Sequence, residues 1–304
     1  MADLLLVGGT GQLGGKIAER LAARDVPFRA LVRPQTDASA LEALGAEIVR
    51  GDLTDLPSLP AALRGMTTVI TTANAISRIL DGAKDLTIDA VDRRGNESLI
   101  RAAEAARVRR FVFLSASDQT PAMVARSPFM SAKQHTERVL RTSTMRSVIV
   151  RPAAFQELWL SPTVGLLPDR RMAMIFGHGR TPDPYIAVDD VAEAVVRLAL
   201  ADDPPAEVDI GGPQRLTRHE VVDAFERATG VRFRRVSVPR PVLAAGSRLL
   251  RSRRPELASV LGMSLVRDVE GSSVDDRPLR ALGIQPRSTT DAIDEMMRTS
   301  RPGG

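Results

Sequence analysis

Cysteine is absent from this 304-residue chain, which excludes disulfides and thiolate metal sites. No run approaches the ~18 apolar residues of a membrane-spanning helix. Asp3 interrupts the approach to the apolar LLLV, and no basic leader precedes it, so this segment reads as a strand and not a signal peptide. A cytoplasmic protein without a membrane partner is the expectation. Lysine is scarce: of 42 Lys and Arg residues only Lys16, Lys84 and Lys133 are lysine, so each merits a look. The three histidines, His135, His178 and His219, lie far apart, and no His/Asp/Glu spacing suggests a metal site. The net charge of +5 permits a nucleic-acid partner only where basic residues cluster with a recognition element. The tightest cluster, RLLRSRRPE at Arg248–Glu256, has no interleaved aromatics and reads as a solvated helix end. No nucleic-acid partner is expected; an oligomer is left open.

What is present is an ordered α/β pattern. Apolar residues make up 43% of the chain, and its length allows a large core, as one domain or a domain plus a lobe. Short apolar runs at 3–7, 28–32, 46–49, 68–72, 111–115 and 147–150 suit strands covered on both faces. Between them lie helical stretches, such as Leu13, Ile17 and Leu21 at i+4 spacing and a long segment over 87–106. The alternation predicts a doubly wound, parallel Rossmann sheet with a smaller C-terminal substrate lobe. We assign 1–152, with 186–204 returning to it, to the dinucleotide-binding domain, and 153–185 with 205–304 to the lobe. Asp189 or Asp190 opens a helix over 189–201. Thr217 and Glu220 form a capping box for a helix that ends at Gly230.

The stretch GGTGQLGG places five glycines in eight positions behind the first strand. Gly8, Gly11 and Gly14 allow a tight turn, close approach of a pyrophosphate, and close packing of helix on strand. The helix N-terminus adds N–H donors and partial positive charge. With the intervening Thr10, Gln12 and Leu13, this is a phosphate-binding loop. At the end of the second strand stands Arg33, where an NAD-binding protein would usually carry an acid. A guanidinium matches a 2′-phosphate, so the cofactor expected is NADP, as NADPH. Asp52 and Leu53, after the third strand, suit a polar contact and an apolar wall for adenine. Asp52 equally suits a turn. Thr72, Ala73 and Asn74 follow the fourth strand, near where adenosine would pass.

Together with LVRP, GDLTD, VDRRGNESLIRAAEAARVRRFVFLSA, SPFMSAKQHTERVLR, VIVRPAAF and YIAVDDVAEAVV, this loop resembles the atypical short-chain dehydrogenase/reductases. The resemblance is to the NmrA-like and isoflavone-reductase-like branch, close over residues 1–200 and looser beyond. Most of the superfamily pairs a tyrosine with a lysine four residues on. Here Lys133 is kept, but Phe129 stands at the tyrosine position, so proton donation by a phenol there is lost. The resemblance implies that Lys133 holds the nicotinamide ribose and assists proton transfer. It implies that Ser115 or Ser117 orients a substrate oxygen; strand-end capping is the plainer reading of both serines. By the same likeness Pro152, Ala153 and Phe155 lie along the nicotinamide side. Trp159, Leu166, Leu167, Met172, Met174 and Phe176 supply a substrate wall, a lobe core, or both. Tyr185 reads as a half-buried strand residue with a solvated hydroxyl. Two functions follow: an NADPH-dependent reductase of a small, fairly apolar carbonyl or enone compound, or a non-catalytic NADP(H)-binding sensor, regulator or assembly factor.

Overall fold

Short runs of Leu, Val, Ile and Phe bounded by turn residues become strands, and the stripes between them become helices. The computed structural model describes residues 2–80, 82–83 and 86–299; Lys84 lies outside them. Ten strands follow in chain order among the described residues: β1 Leu4–Val7, β2 Phe28–Val32, β3 Glu47–Arg50, β4 Thr68–Thr71, β5 Arg110–Leu114, β6 Arg146–Pro152, β7 Leu166–Leu167, β8 Met172–Phe176, β9 Glu207–Ile210 and β10 Arg234–Val238. Seven of them form one sheet in the order β3-β2-β1-β4-β5-β6-β9. β1 is buried along its whole length and pairs in parallel with β2 on one side and β4 on the other. The strand order reverses between β1 and β4. In Rossmann-like α/β folds that reversal opens a crevice at the strands' carboxyl ends, where ligands bind.

The chain divides into two compact units. The first comprises Met1–Ala116, Ser131–Arg151 and Val191–Val208, and the second Ser117–Met130, Pro152–Asp190 and Asp209–Gly304. The core of the first includes Leu5, Val7, Leu99, Phe111, Phe113 and Ile149, all nearly inaccessible. At roughly 1.5–3 kcal/mol per fully buried large side chain, such a cluster is the main stabilising element of the sheet. The second has its own core, with Leu166, Ile175, Tyr185, Val221, Phe225 and Ile293. It also carries a small sheet, β10-β8-β7, in which β8 pairs in parallel with β10 and antiparallel with β7.

Two helical readings need correction. The helix expected over 87–106 begins as a π-helical turn, Asp89–Gly95, before the α-helix Asn96–Ala105. Leu53 lies against that turn: a Cβ on Gly95 would sit 3.0 Å from the Leu53 Cβ and 3.0 Å from the Ala90 carbonyl oxygen. The helix expected to open on an aspartate starts at Val188. Its N–H donates to the Glu157 carboxylate at 3.0 and 3.1 Å, while Asp190 accepts from the Arg287 N–H at 2.8 Å. The capping box of Thr217 and Glu220 is formed, and Gly230 closes that helix in the left-handed conformation.

Candidate functional site

The phosphate loop follows from three glycines that differ in what excludes a side chain. Gly8 has φ +88°, and a Cβ there would lie 2.7 Å from the Thr72 hydroxyl. Gly14 sits on the helix Gln12–Ala22, where a Cβ would come within 2.0 Å of the Gly8 carbonyl oxygen. Both are demanded by the protein's own packing. Gly11 is different. It is the exposed N-cap, with ordinary φ −86° and ψ 168°, and a Cβ would meet only the Gly8 oxygen, at 3.4 Å. The chain leaves that space open. No side chain caps the helix and no acid stands in its first turn, so its leading N–H groups suit an anion. Thr10 and Gln12 are exposed beside it, and Leu13 is buried as the first residue of the helix's apolar stripe. The loop fits a dinucleotide pyrophosphate.

Arg33 is half-buried directly after β2. Parallel pairing places Arg50 opposite Val32, and the Arg50 guanidinium donates to the carbonyls of Arg33 at 3.2 Å and Thr36 at 2.7 Å. Sequence reasoning missed this second cation. Only strand register, not spacing along the chain, brings it to the same turn. Asp52 accepts from both the N–H and the hydroxyl of Thr54 at 2.8 Å, forming the turn that was one of its two readings. Leu53 is buried. Thr72 is buried with its hydroxyl 3.4 Å from the Gly8 oxygen, Asn74 donates to the Thr72 carbonyl, and Asn96 donates to that of Ala73.

Lys133 is 1% exposed. Its ammonium donates to the Leu114 carbonyl at 2.9 Å, lies 4.0 Å from Asp92 Oδ1, and sits 4.9 Å from the centre of the Phe113 ring. Burial pushes its pKa down, opposed by Asp92 and Glu137. Asp92 is fully buried on the π-helical turn. Its Oδ2 accepts from the Ala75 N–H, and its Oδ1 has no hydrogen-bond partner. Burial raises the Asp92 carboxyl to about 6, with the Lys133 charge and the Ala75 N–H holding it down. Asp92 was not recognised in the sequence. Its only signal there is an acid on the face that carries Val91, Asn96 and Leu99, and DRRG looks like a solvated turn.

The two candidate serines are engaged by neighbouring acids. Ser115 donates to Glu137 at 2.5 Å, and Glu137 also receives Arg151 at 2.7 and 2.9 Å and Arg141 at 2.8 Å. Ser117, in the second unit, donates to Asp118 at 2.9 Å, and its N–H donates to the Pro152 carbonyl. The Ala153 N–H extends the sheet by donating to Ile210, and Phe155 bridges Ile186. Leu166 belongs to the second unit's core, while Trp159 and Phe176 line a pocket. Tyr185 corrects the expectation of a solvated hydroxyl: it is 4% exposed, and burial together with Asp183 pushes its phenol up to about 12. The cause is its place in the second unit's core with Leu166, Ile175 and Phe225, which period-2 reading of a short strand cannot foresee.

Within the first unit, then, the structure holds the glycine loop, Arg33, Asp52–Leu53, Thr72–Asn74, Ser115 and Lys133; Ser117, Pro152, Ala153 and Phe155 belong to the second. A Rossmann-like sheet with a pyrophosphate-fitting loop defines a dinucleotide-binding protein. The chain belongs to the NAD(P)H-binding family, which it matches over residues 8–202. It is 30% identical to the photosystem II assembly factor Ycf39 of Trieres chinensis over 75% of this chain and 69% of that one. It is 29% identical to the NAD(P)H azoreductase of Xenophilus azovorans over 77% of each chain. Its fold is also that of an NADPH-dependent quinone oxidoreductase from Escherichia coli solved with NADPH. That match has a TM-score of 0.77 at 19% identity, covering 96% of this chain and 99% of the other. The cofactor is NAD(P)H. No helix among the described residues is long and apolar enough to cross a membrane.

Proposed function

We propose that the protein is an NADPH-dependent reductase of a small, fairly apolar carbonyl or enone compound. The observation that carries this reading is the buried Lys133–Asp92 pair, 4.0 Å apart in the unit that holds the glycine loop. A charged pair this deep is costly to keep for stability alone, and perturbed buried groups gather where protons move. The glycine loop, Arg33 and the Thr72–Asn74 segment hold the cofactor, which supplies a hydride when bound. Lys133 keeps an ammonium proton at Nζ, directed by the Leu114 carbonyl, and burial makes that proton easier to give up than on an exposed lysine. Asp92 balances the charge while ionised. Ser115 acts through Glu137, which fixes the helix Pro128–Arg141 that carries Lys133. The likeness to an azoreductase supports a reductase.

A second reading, a non-catalytic NADP(H)-binding regulator or assembly factor, is favoured by Phe129 and by the likeness to Ycf39. One substitution separates them. In the reductase, Lys133→Met lowers turnover of quinones, enones or azo dyes by roughly 10²-fold or more, the scale of general acid–base assistance. Wild-type turnover unaffected by Lys133→Met would overturn the lysine role. A wild type that binds NADPH but consumes none across the screen selects the regulator.

A further inference from the structure

The helices Arg240–Leu249 and Pro255–Glu270 form an antiparallel pair in the second unit. A proline opens each of them, where the missing N–H costs nothing. Two contacts set their direction. A Cβ on Gly246 would lie 2.6 Å from a Leu261 methyl, and Arg240 pairs with Asp268 at 2.6 Å, so the start of one helix meets the end of the other. Leu243 and Ser247, four apart, are buried on the inner face. Val242, Ala245 and Leu249, at the i, i+3, i+7 spacing of one stripe, are all exposed on the other. Leu249 is 77% exposed and Val242 55%. Two of the five large apolar side chains exposed among the described residues therefore stand on this one ten-residue helix.

The turn between the helices is basic. Arg248, Arg251, Arg253 and Arg254 fall within seven residues, and all are exposed. Arg251 donates to the Ala125 carbonyl, and Arg254 pairs with Glu256 at 2.6 Å. The side chains of Arg248 and Arg253 have no ion pair or hydrogen bond among the described residues. Nearby acids do not offset this charge at the surface. Glu256 and Asp268 are buried, and Glu270 stands at the far end of its helix, accepting from Thr120 at 2.8 Å. A solvated helix end, the expectation for this cluster, accounts for the arginines. It does not account for a leucine standing among them.

We propose that this helix end is a docking surface for an anionic phospholipid bilayer. Charge complementarity selects the occupant. Four exposed arginines, two of them unpaired, meet lipid phosphates, while Val242 and Leu249 enter the boundary between headgroups and acyl chains. Arginine suits the position, because its apolar stem lies along the stripe while the guanidinium stays at phosphate level. A second copy of the chain would bring the same positive turn against itself. A nucleic acid would use the arginines but leave Leu249 uncovered, and no aromatic side chain stands between Arg240 and Glu270 for a base to stack on. The protein lies on the bilayer through one helix and does not cross it.

Flotation of the full chain with vesicles tests this. The chain is expected to bind vesicles of equal parts phosphatidylglycerol and phosphatidylcholine, and not vesicles of phosphatidylcholine alone. Arg248→Gln together with Arg253→Gln should weaken that binding by about fivefold for each charge removed. Neither side chain has a partner to lose, so this variant should melt like wild type. Leu249→Ser leaves the charge unchanged and should weaken binding about tenfold. Arg64→Gln with Arg107→Gln removes equal charge from exposed positions of the first unit and should leave binding as it was. A chain that ignores the phosphatidylglycerol vesicles overturns the docking surface. So does binding that Leu249→Ser leaves unchanged, or that the first-unit pair weakens as much, since net charge alone would then hold the chain. Tighter binding to a DNA duplex, unaffected by Leu249→Ser, would assign the arginines to nucleic acid instead. A dimer in analytical ultracentrifugation that Leu249→Ser dissociates would assign the stripe to a second copy. No NADPH is present and no turnover is read, so this proposal and the reductase reading stand or fall separately.

Discussion

Asp92 gives the first unit a defined pH response. Its carboxyl is raised from 3.8 to about 6 by burial, so between those values the folded chain holds a proton that the unfolded chain has released. Stability from this group is therefore greatest below pH 4 and declines as pH climbs through 6, by about 3 kcal/mol in all. Asp92→Asn keeps an oxygen for the Ala75 N–H and removes the titration. The difference in stability between wild type and variant, read from urea midpoints at pH 4 and pH 7, should shift in the variant's favour at the higher pH by about that amount. A pH-independent difference would show that Asp92 ionises normally. The same change removes the charge that raises the Lys133 pKa, so the alkaline limb of any turnover profile should move to lower pH.

The elements around the glycine loop show what could be read from the chain and what could not. Six strand runs were legible because each is a short apolar block between turn residues, and the capping box of Thr217 and Glu220 because both partners sit three apart. Contacts that depend on register or tertiary burial were not legible. Arg50 reaches the Arg33 turn only through pairing of β2 with β3, and Asp92 meets Lys133 across 41 positions of chain. The loop itself predicts a contrast between its glycines. Gly14→Ala forces a Cβ into the Gly8 carbonyl at 2.0 Å and should destabilise the fold by about 1–3 kcal/mol, as overpacking does. Gly11→Ala has room within the protein and should melt within about 0.5 kcal/mol of wild type. It should still lose NADPH affinity, because the methyl enters space open to the pyrophosphate. Equal damage to melting in both variants would remove the distinction between a packing glycine and a binding one.

At the scale of the whole molecule the chain passes between its two units five times, at 116/117, 130/131, 151/152, 190/191 and 208/209, so neither unit is one contiguous piece. Cofactor binding is best followed on the intact chain, by mass action. NADPH at a hundredfold excess over its dissociation constant adds about 2.7 kcal/mol to the folded state. For a protein of this size that is on the order of 5 °C in melting temperature. If Arg33 meets a 2′-phosphate, NADH at the same concentration should shift melting less, with affinities differing by roughly 1–3 kcal/mol. Arg33→Ala should bring the two shifts together by reducing the one from NADPH. Equal shifts in the wild type would remove the preference for NADPH altogether, and a larger NADPH shift that survives Arg33→Ala would transfer the selectivity to Arg50. Lys133→Met completes the comparison. In a reductase it keeps most of the NADPH shift, held by the loop and Arg33, while turnover falls. In a regulator the wild type already shows the full shift with no turnover, and the variant changes only how strongly NADPH is held.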